Sequence, residues 1–268
     1  MTTRRHAAAL VALSLATVLS APVARADGGF APGEQIDFTI DYLGIKMGEA
    51  RIVVGQAEGP VWPIIAQGRS GGLASIVDIR EHFVSYWDSS TRLPRGSDLR
   101  AIEIGDRHDD SARFDRTTGK ATVRIVRKGN REEKTYPLDP DSLDFASAVL
   151  WLRTQPLAAD ARFEIPVFTT KGTFRLEASV VGRERVATKA GTFDAWKVQV
   201  RTAFEGHFEA KRDTLIWFSA DENRVPVRVS AEFAVGSVVV NLAGYQPGGR
   251  MARNGAPSRI SSPEEVAP

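Results

Sequence analysis

Apolar and polar residues alternate with a period of two along most of the chain, which is the pattern of strands with one buried face. Ile36, Phe38, Ile40 and Tyr42 alternate with Asp37, Thr39 and Asp41. The next strand, 49–54, follows a connection between Gly44 and Gly48, so the two form a hairpin. Further strands are predicted at 61–67 and 82–87, with a weaker one at 99–103. The segments 111–114 and 121–126 flank Thr117-Thr118-Gly119, and Gly129-Asn130 turns the chain into 131–138. Strands at 163–169, 173–181, 196–204, 213–218, 227–233 and 238–242 complete the set.

One segment departs from this rhythm. Asp141 or Ser142 caps a predicted helix that runs to Arg153, with Leu143, Ala146, Val149 and Leu150 on one face and Pro156 beyond its end. Short turns between successive strands favour antiparallel pairing, because parallel pairs need long crossovers. The expected fold is mainly β: a large curved antiparallel sheet or open barrel of about a dozen strands with one helix.

The ends change the picture. Arg4 and Arg5 precede an apolar run at 7–18, and Ala24-Arg25-Ala26 is a small-x-small cleavage site. Residues 1–26 are therefore expected to be a cleaved signal peptide, with export to the periplasm by the general route. No later run approaches the roughly 20 apolar residues of a transmembrane helix. Residues 27–246 form one expected β-rich domain, and 247–268, rich in Gly, Pro, Ser and Arg, form an expected disordered tail. The formal charge of +2 comes from the leader: without its three arginines, 32 Lys and Arg face 33 Asp and Glu. That balance gives no electrostatic footprint for nucleic acid or for an anionic membrane. With no cysteine in the chain, there is neither a disulfide nor a lipobox anchor, and any metal site would need His, Asp and Glu.

Several motifs recur in a fixed order. Phe30-Ala31-Pro32-Gly33-Glu34 is followed by Tyr42-Leu43-Gly44-Ile45-Lys46-Met47-Gly48-Glu49-Ala50, and later by Asp88…Thr91…Leu93-Pro94, Phe114-Asp115 and Pro166-Val167-Phe168. The last third carries Gly182-Arg183-Glu184, Ala190-Gly191-Thr192-Phe193, Ile216-Trp217, Asp221…Arg224-Val225-Pro226-Val227 and Gly236-Ser237. In this order the chain resembles the bacterial exported-protein family catalogued as domain of unknown function 3108. The resemblance implies a sheet similar to the open, curved barrel of periplasmic lipoprotein carriers, with the helix covering one mouth. It implies no activity. The Gly-rich segment 69–79 departs from the family pattern.

Candidate chemistry is sparse. Gly68-Arg69-Ser70-Gly71-Gly72 fits G-x-S-x-G, with a strand before it and a possible helix at 73–77. A nucleophile elbow also needs a parallel α/β sheet, an acid and a His, and the strand–helix alternation is missing. A flexible loop is the simpler reading of Ser70. His82, His108 and His207 are far apart, and His108 falls in a charged loop, Asp106-Arg107-His108-Asp109-Asp110, read as solvated. Asp139, Asp141 and Asp144 lack calcium-loop spacing and suit a helix N-terminus. No pattern asks for a cofactor or a metal.

Glu49, Glu184 and Arg224 lie in the family-like motifs, where they either fix the polar end of a ligand or pair with one another and face water. Leu150 and Trp151, on the helix, are placed at the ligand if the helix covers the mouth of the sheet. Ile45 and Met47 are apolar residues read as part of a turn, either tucked under the sheet or offered to a partner. The expected function is non-enzymatic binding of a hydrophobic or amphiphilic ligand, a lipid or an acylated protein. The alternatives are an envelope protein–protein interaction module and a hydrolase using Ser70.

Overall fold

A computed structural model describes residues 29–72, 78–103, 105–202, 213–233 and 236–249. The predicted leader at 1–26, the possible helix at 73–77, His207 and residues 250–268 of the tail lie outside the described residues.

Eight strands come first: β1 Gln35–Tyr42, β2 Ile45–Val54, β3 Val61–Ser70, β4 Ile79–Asp88, β5 Leu93–Glu103, β6 Asp106–Asp115, β7 Lys120–Arg127 and β8 Asn130–Pro137. Helix α1, Phe145–Thr154, follows. Six more strands close the chain: β9 Arg162–Thr169, β10 Gly172–Thr188, β11 Gly191–Thr202, β12 Thr214–Ser219, β13 Pro226–Phe233 and β14 Gly236–Gln246. All fourteen belong to one antiparallel sheet in the order β8-β7-β6-β5-β4-β3-β2-β1-β14-β13-β12-β11-β10-β9. Successive strands pair with one another except β8 and β9, which are the two edges, and β1 also lies beside β14 near the middle.

The sheet must curl. Helix α1 packs against β3, β4 and β9, and in a flat sheet β4 and β9 would stand nine strand spacings, about 43 Å, apart. A ten-residue helix is only about 15 Å long. The two wings therefore bend towards each other around the helix. Their edges, β8 and β9, meet through side chains instead of a hydrogen-bond ladder: the Phe168 ring lies 6.2 Å from Tyr136 and 5.1 Å from Phe114. The result is a large curved sheet that is not closed into a barrel.

The inner face holds the main core. Leu150 and Leu152 of the helix pack with Ile64 and Trp87 of one wing and with Val167, Val198 and Phe218 of the other. At its N-terminus the helix is capped by Asp144, whose carboxylate accepts from the Ser147 N–H while the Asp144 N–H donates to the Ser147 hydroxyl, both at 2.9 Å. This reciprocal box starts the helix later than the sequence suggested, since neither Asp141 nor Ser142 caps it. At the other end Arg153 is fully buried. Its guanidinium holds the Glu34 carboxylate through two bonds of 2.7 and 2.8 Å and donates to the carbonyls of Gly29 and Asn223. Tyr245 donates a further bond to Glu34. The helix C-terminus is thus fastened to the start of β1 and to the β12–β13 turn.

A second cluster forms where the long β10–β11 hairpin bends. The register slips between Val180 and Gly182, leaving Val181 unpaired and exposed. Beyond that bulge the hairpin reaches back over β12 and β13, where Trp217 donates to Glu184 and Arg228 donates to the Ala187 carbonyl.

Two further sequence expectations need correction. Ile45 and Met47 belong to β2, because the β1–β2 connection is only Leu43-Gly44, both with positive φ (50° and 81°). Such a two-residue turn matches the twist of its strands and requires φ > 0 at both positions. The stretch 106–110 is the start of β6 and not a solvated loop.

Candidate functional site

Directly opposite residues of paired strands point to the same face. Ile52, Ala66, Phe83, Leu99 and Asp110 are successive partners across β2 to β6 and form one row on the inner face. The next row runs through Gly68, Glu81, Ala101, His108 and Arg127. Along each strand these rows stand about 7 Å apart. Above them lies the N-terminal half of α1, contributing Phe145, Ala146 and Val149.

A cavity of about 520 Å³ fills the space between these rows and the helix. It falls within the range of roughly 300–1,000 Å³ usual for small-molecule sites. One part is apolar, walled by Ile52, Phe83, Leu99, Val149 and Phe168. The other part is charged, with Glu81, His108, Asp110 and Arg127. The two kinds of lining adjoin, Asp110 standing directly opposite Leu99.

The charged part is incompletely paired. Arg127 reaches Asp110 Oδ2 at 3.3 Å, and the Asp110 side chain is only 4% exposed while that of Arg127 is 58% exposed. Asp110 Oδ1 is buried without a hydrogen-bond partner. Such an oxygen carries a desolvation cost that a donor would relieve. Glu81 keeps a solvent-exposed surface at the rim. Even so, the surrounding protein and then the nearby Glu103 charge raise its carboxyl above the ordinary 4.5, with His108 acting the other way.

A second hollow, of about 510 Å³, lies on the outer face and has a different character. Asp37, Thr39, Glu49, Arg51, Gln67 and Arg69 surround it. Its charges are already matched, Arg51 to Asp37 at 2.5 Å and Arg69 to Glu49 at 2.9 Å. Hydrogen bonds from Lys46 and Arg69 hold the Glu49 carboxyl down at about 2.

The residues singled out from the sequence are scattered by the fold. Glu49 faces outward in that ion-paired hollow. Glu184 lies on the bent hairpin, bonded to Trp217 and 3.7 Å from Lys197. Arg224 occupies a left-handed position (φ 46°) in the β12–β13 turn, its N–H bonded to Asp221. Leu150 is sealed in the core, and Trp151 packs edge-on to Phe163 with ring centroids 6.1 Å apart. None of these five lines the inner cavity; the helix residues that do are Phe145, Ala146 and Val149. Ser70 ends an antiparallel strand, and its hydroxyl accepts a hydrogen bond from the Ile79 N–H at 3.1 Å. His82 faces outward, bonded to Gln67. Among the described residues no group of three or more His, Asp or Glu could hold a metal ion.

The sequence reading missed Glu81, His108, Asp110 and Arg127. A signal was present, since His108 and Asp110 continue the period-two line of Ala112 and Phe114. Their polarity concealed it, because alternation of hydrophobicity is invisible where both faces of a strand are charged.

The architecture has a counterpart among solved structures. A β-barrel-like protein of domain of unknown function DUF1849 from Brucella abortus aligns with 81% of this chain and 98% of its own, at 10% identity and a TM-score of 0.56. A hypothetical protein from Chlamydia trachomatis aligns with 84% of this chain and 92% of its own, at 10% identity and a TM-score of 0.37. The first likeness shows the fold, a β-barrel-like curved sheet. No curated protein matches the sequence. The family described as "protein of unknown function (DUF3108)" matches residues 37–243, nearly the whole sheet from β1 to β14. The chain belongs to this DUF3108 family.

Proposed function

We propose that the protein binds a hydrophobic or amphiphilic ligand in the cavity between α1 and the inner face of β2 to β7, and carries or presents it without chemical change. The observation that supports this is the mixed lining, with apolar Ile52, Phe83, Leu99 and Val149 beside the charged Glu81, Asp110 and Arg127. A site built for catalysis would bring a nucleophile or acid–base pair against a polar substrate. Here most of the wall is suited to a chain of carbon atoms. A cavity of roughly 150 Å³ holds a benzene ring, so about 520 Å³ accommodates on the order of twenty carbons, the size of one alkyl or acyl chain.

The place of action in this reading is the periplasm. Its support is the arginine-led apolar run ending at Ala24-Arg25-Ala26. Among the described residues no helix is long and apolar enough to cross a membrane. N-terminal sequencing of protein recovered from the periplasm should begin near Asp27.

The binding itself is tested with N-phenyl-1-naphthylamine, a neutral dye that fluoresces in apolar surroundings. Saturable uptake of one dye per chain is expected. The Ala66→Trp variant should lose it while its circular dichroism stays native, because Ala66 lies in the cavity wall. A folded Ala66→Trp protein with unchanged uptake rejects the site.

A further inference from the structure

The polar end of the cavity has a sign. Resting on the binding reading above, we infer that the head group of the ligand is cationic, a protonated amine received at the Glu81 end. Three carboxylates gather here: Glu81 and Asp110 in the wall, and Glu103 close enough to act on Glu81. Against them stand one guanidinium, Arg127, and the imidazole of His108. Arg127 already serves Asp110, which leaves the His108 imidazole as the one wall group set against Glu81 and the neighbouring Glu103 charge.

The burial pattern fits this. Glu81 is exposed at the rim, where an entering head group would meet it first. Asp110, deeper and 4% exposed, keeps one oxygen without a donor. A primary ammonium carries three donors and no acceptor. It would satisfy acceptors that the protein leaves open, and its charge would offset the repulsion between Glu81 and Glu103. A carboxylate head would bring a further negative charge to the same place. It would also compete with Asp110 for Arg127. The alkyl chain in either case would lie along Phe83, Leu99 and Val149.

The decisive comparison uses three amphiphiles of one chain length, decylamine, decanoate and 1-decanol, each displacing N-phenyl-1-naphthylamine from the full protein at pH 7. Decylamine should displace the dye at a concentration about tenfold lower than decanoate, one factor of ten being about 1.4 kcal/mol. Raising the salt concentration should shrink that ratio, since rim charges are screened. Glu81→Gln should weaken decylamine several-fold and 1-decanol far less, with native circular dichroism, which separates loss of charge from loss of fold. Equal or tighter binding of decanoate overturns the inference, as does an unaltered ratio in Glu81→Gln. If 1-decanol displaces the dye but decylamine shows no advantage, the cationic head falls and the cavity reading stands. If the dye never binds and none of the three is taken up, both fall together.

Discussion

On the β9–β13 side of the helix, Leu176, Val180, Val198, Ile216 and Phe218 fill the space beneath α1 and leave a continuous apolar core. On the β3–β6 side the corresponding inner-face positions include Ala66, Ser97, Ala101 and Ala112. Both wings face the same helix, but beneath its first turns small and charged residues stand where the other wing has large apolar ones. Both wings hold the helix, β3 and β4 through Ile64 and Trp87, but only the β3–β6 wing leaves a hollow under its first turns. The difference shows how a single sheet divides its labour: large residues on both wings build the core, and small ones beneath the first turns of the helix keep a volume free.

The largest way to break that division is to release the helix at its fastened C-terminus. Arg153→Met leaves the Glu34 carboxylate buried beside Tyr245 with no cation. It should cost about 3–5 kcal/mol, the usual penalty for removing one partner of a buried ion pair. A urea titration should show a lower midpoint, and an unchanged midpoint would mean that the pair contributes nothing. Next comes a contrast within one turn of the helix. Leu150→Ala, in the filled core, should lose about 2–5 kcal/mol, whereas Val149→Ala, at the hollow, should lose about 1 kcal/mol or less. Equal losses would show that the hollow is filled in solution.

Adding volume sharpens the same contrast. Ala178→Leu in the packed wing should cost about 1–3 kcal/mol through overpacking. Ala66→Leu should be tolerated and should reduce dye uptake, which a paired thermal melt and fluorescence titration will read. The smallest effect belongs to pH. The Glu81 carboxyl is raised above its ordinary 4.5 by its surroundings and by Glu103, so the folded protein binds this proton more tightly than the unfolded chain. Its contribution is fully present below pH 4.5 and is lost as pH rises through the raised value. Glu81→Gln should flatten this part of the stability–pH curve, and because Glu81 is exposed the change should be slight. A slope that persists in the variant would assign it to another group.

How much of this was readable beforehand depended on which face a residue served. Strands such as β1, with Ile36, Phe38 and Ile40 inward, announce themselves, because one face is apolar and the other wet. The antiparallel order follows from the short turns between them. The start of β6 did not announce itself: Arg107 and Asp109 face water while His108 and Asp110 face the cavity, so both faces are charged. Leu43-Gly44 misled for another reason. A leucine in the left-handed region gives no turn signal, and the neighbouring Gly48 drew the boundary too late. The outward residues Glu49 and Glu184 looked like ligand contacts because they sit in ordered motifs; Lys46 is a local partner of Glu49, but Arg69 and Trp217 are distant in sequence and became visible only in the folded sheet. Pairing across twenty or more residues leaves no local trace.

The pairing of β1 with β14 also governs how such a sheet can come into being. Asn241 of β14 donates to the Asp41 carboxylate across 200 residues of intervening chain, and this seam lies at the centre of the sheet, not at an edge. Every other strand pair can zip up with its immediate neighbour as soon as both have emerged, but β1 must wait for nearly the entire polypeptide. Contacts of such high sequence separation are the ones that slow folding, because the loop must close before the pairing repays it. The two wings should therefore form as separate meanders on a fast timescale, with the joining of β1 to β14 as the late, rate-limiting event. Until that seam closes, the two strands destined for the middle of the sheet are themselves exposed edges.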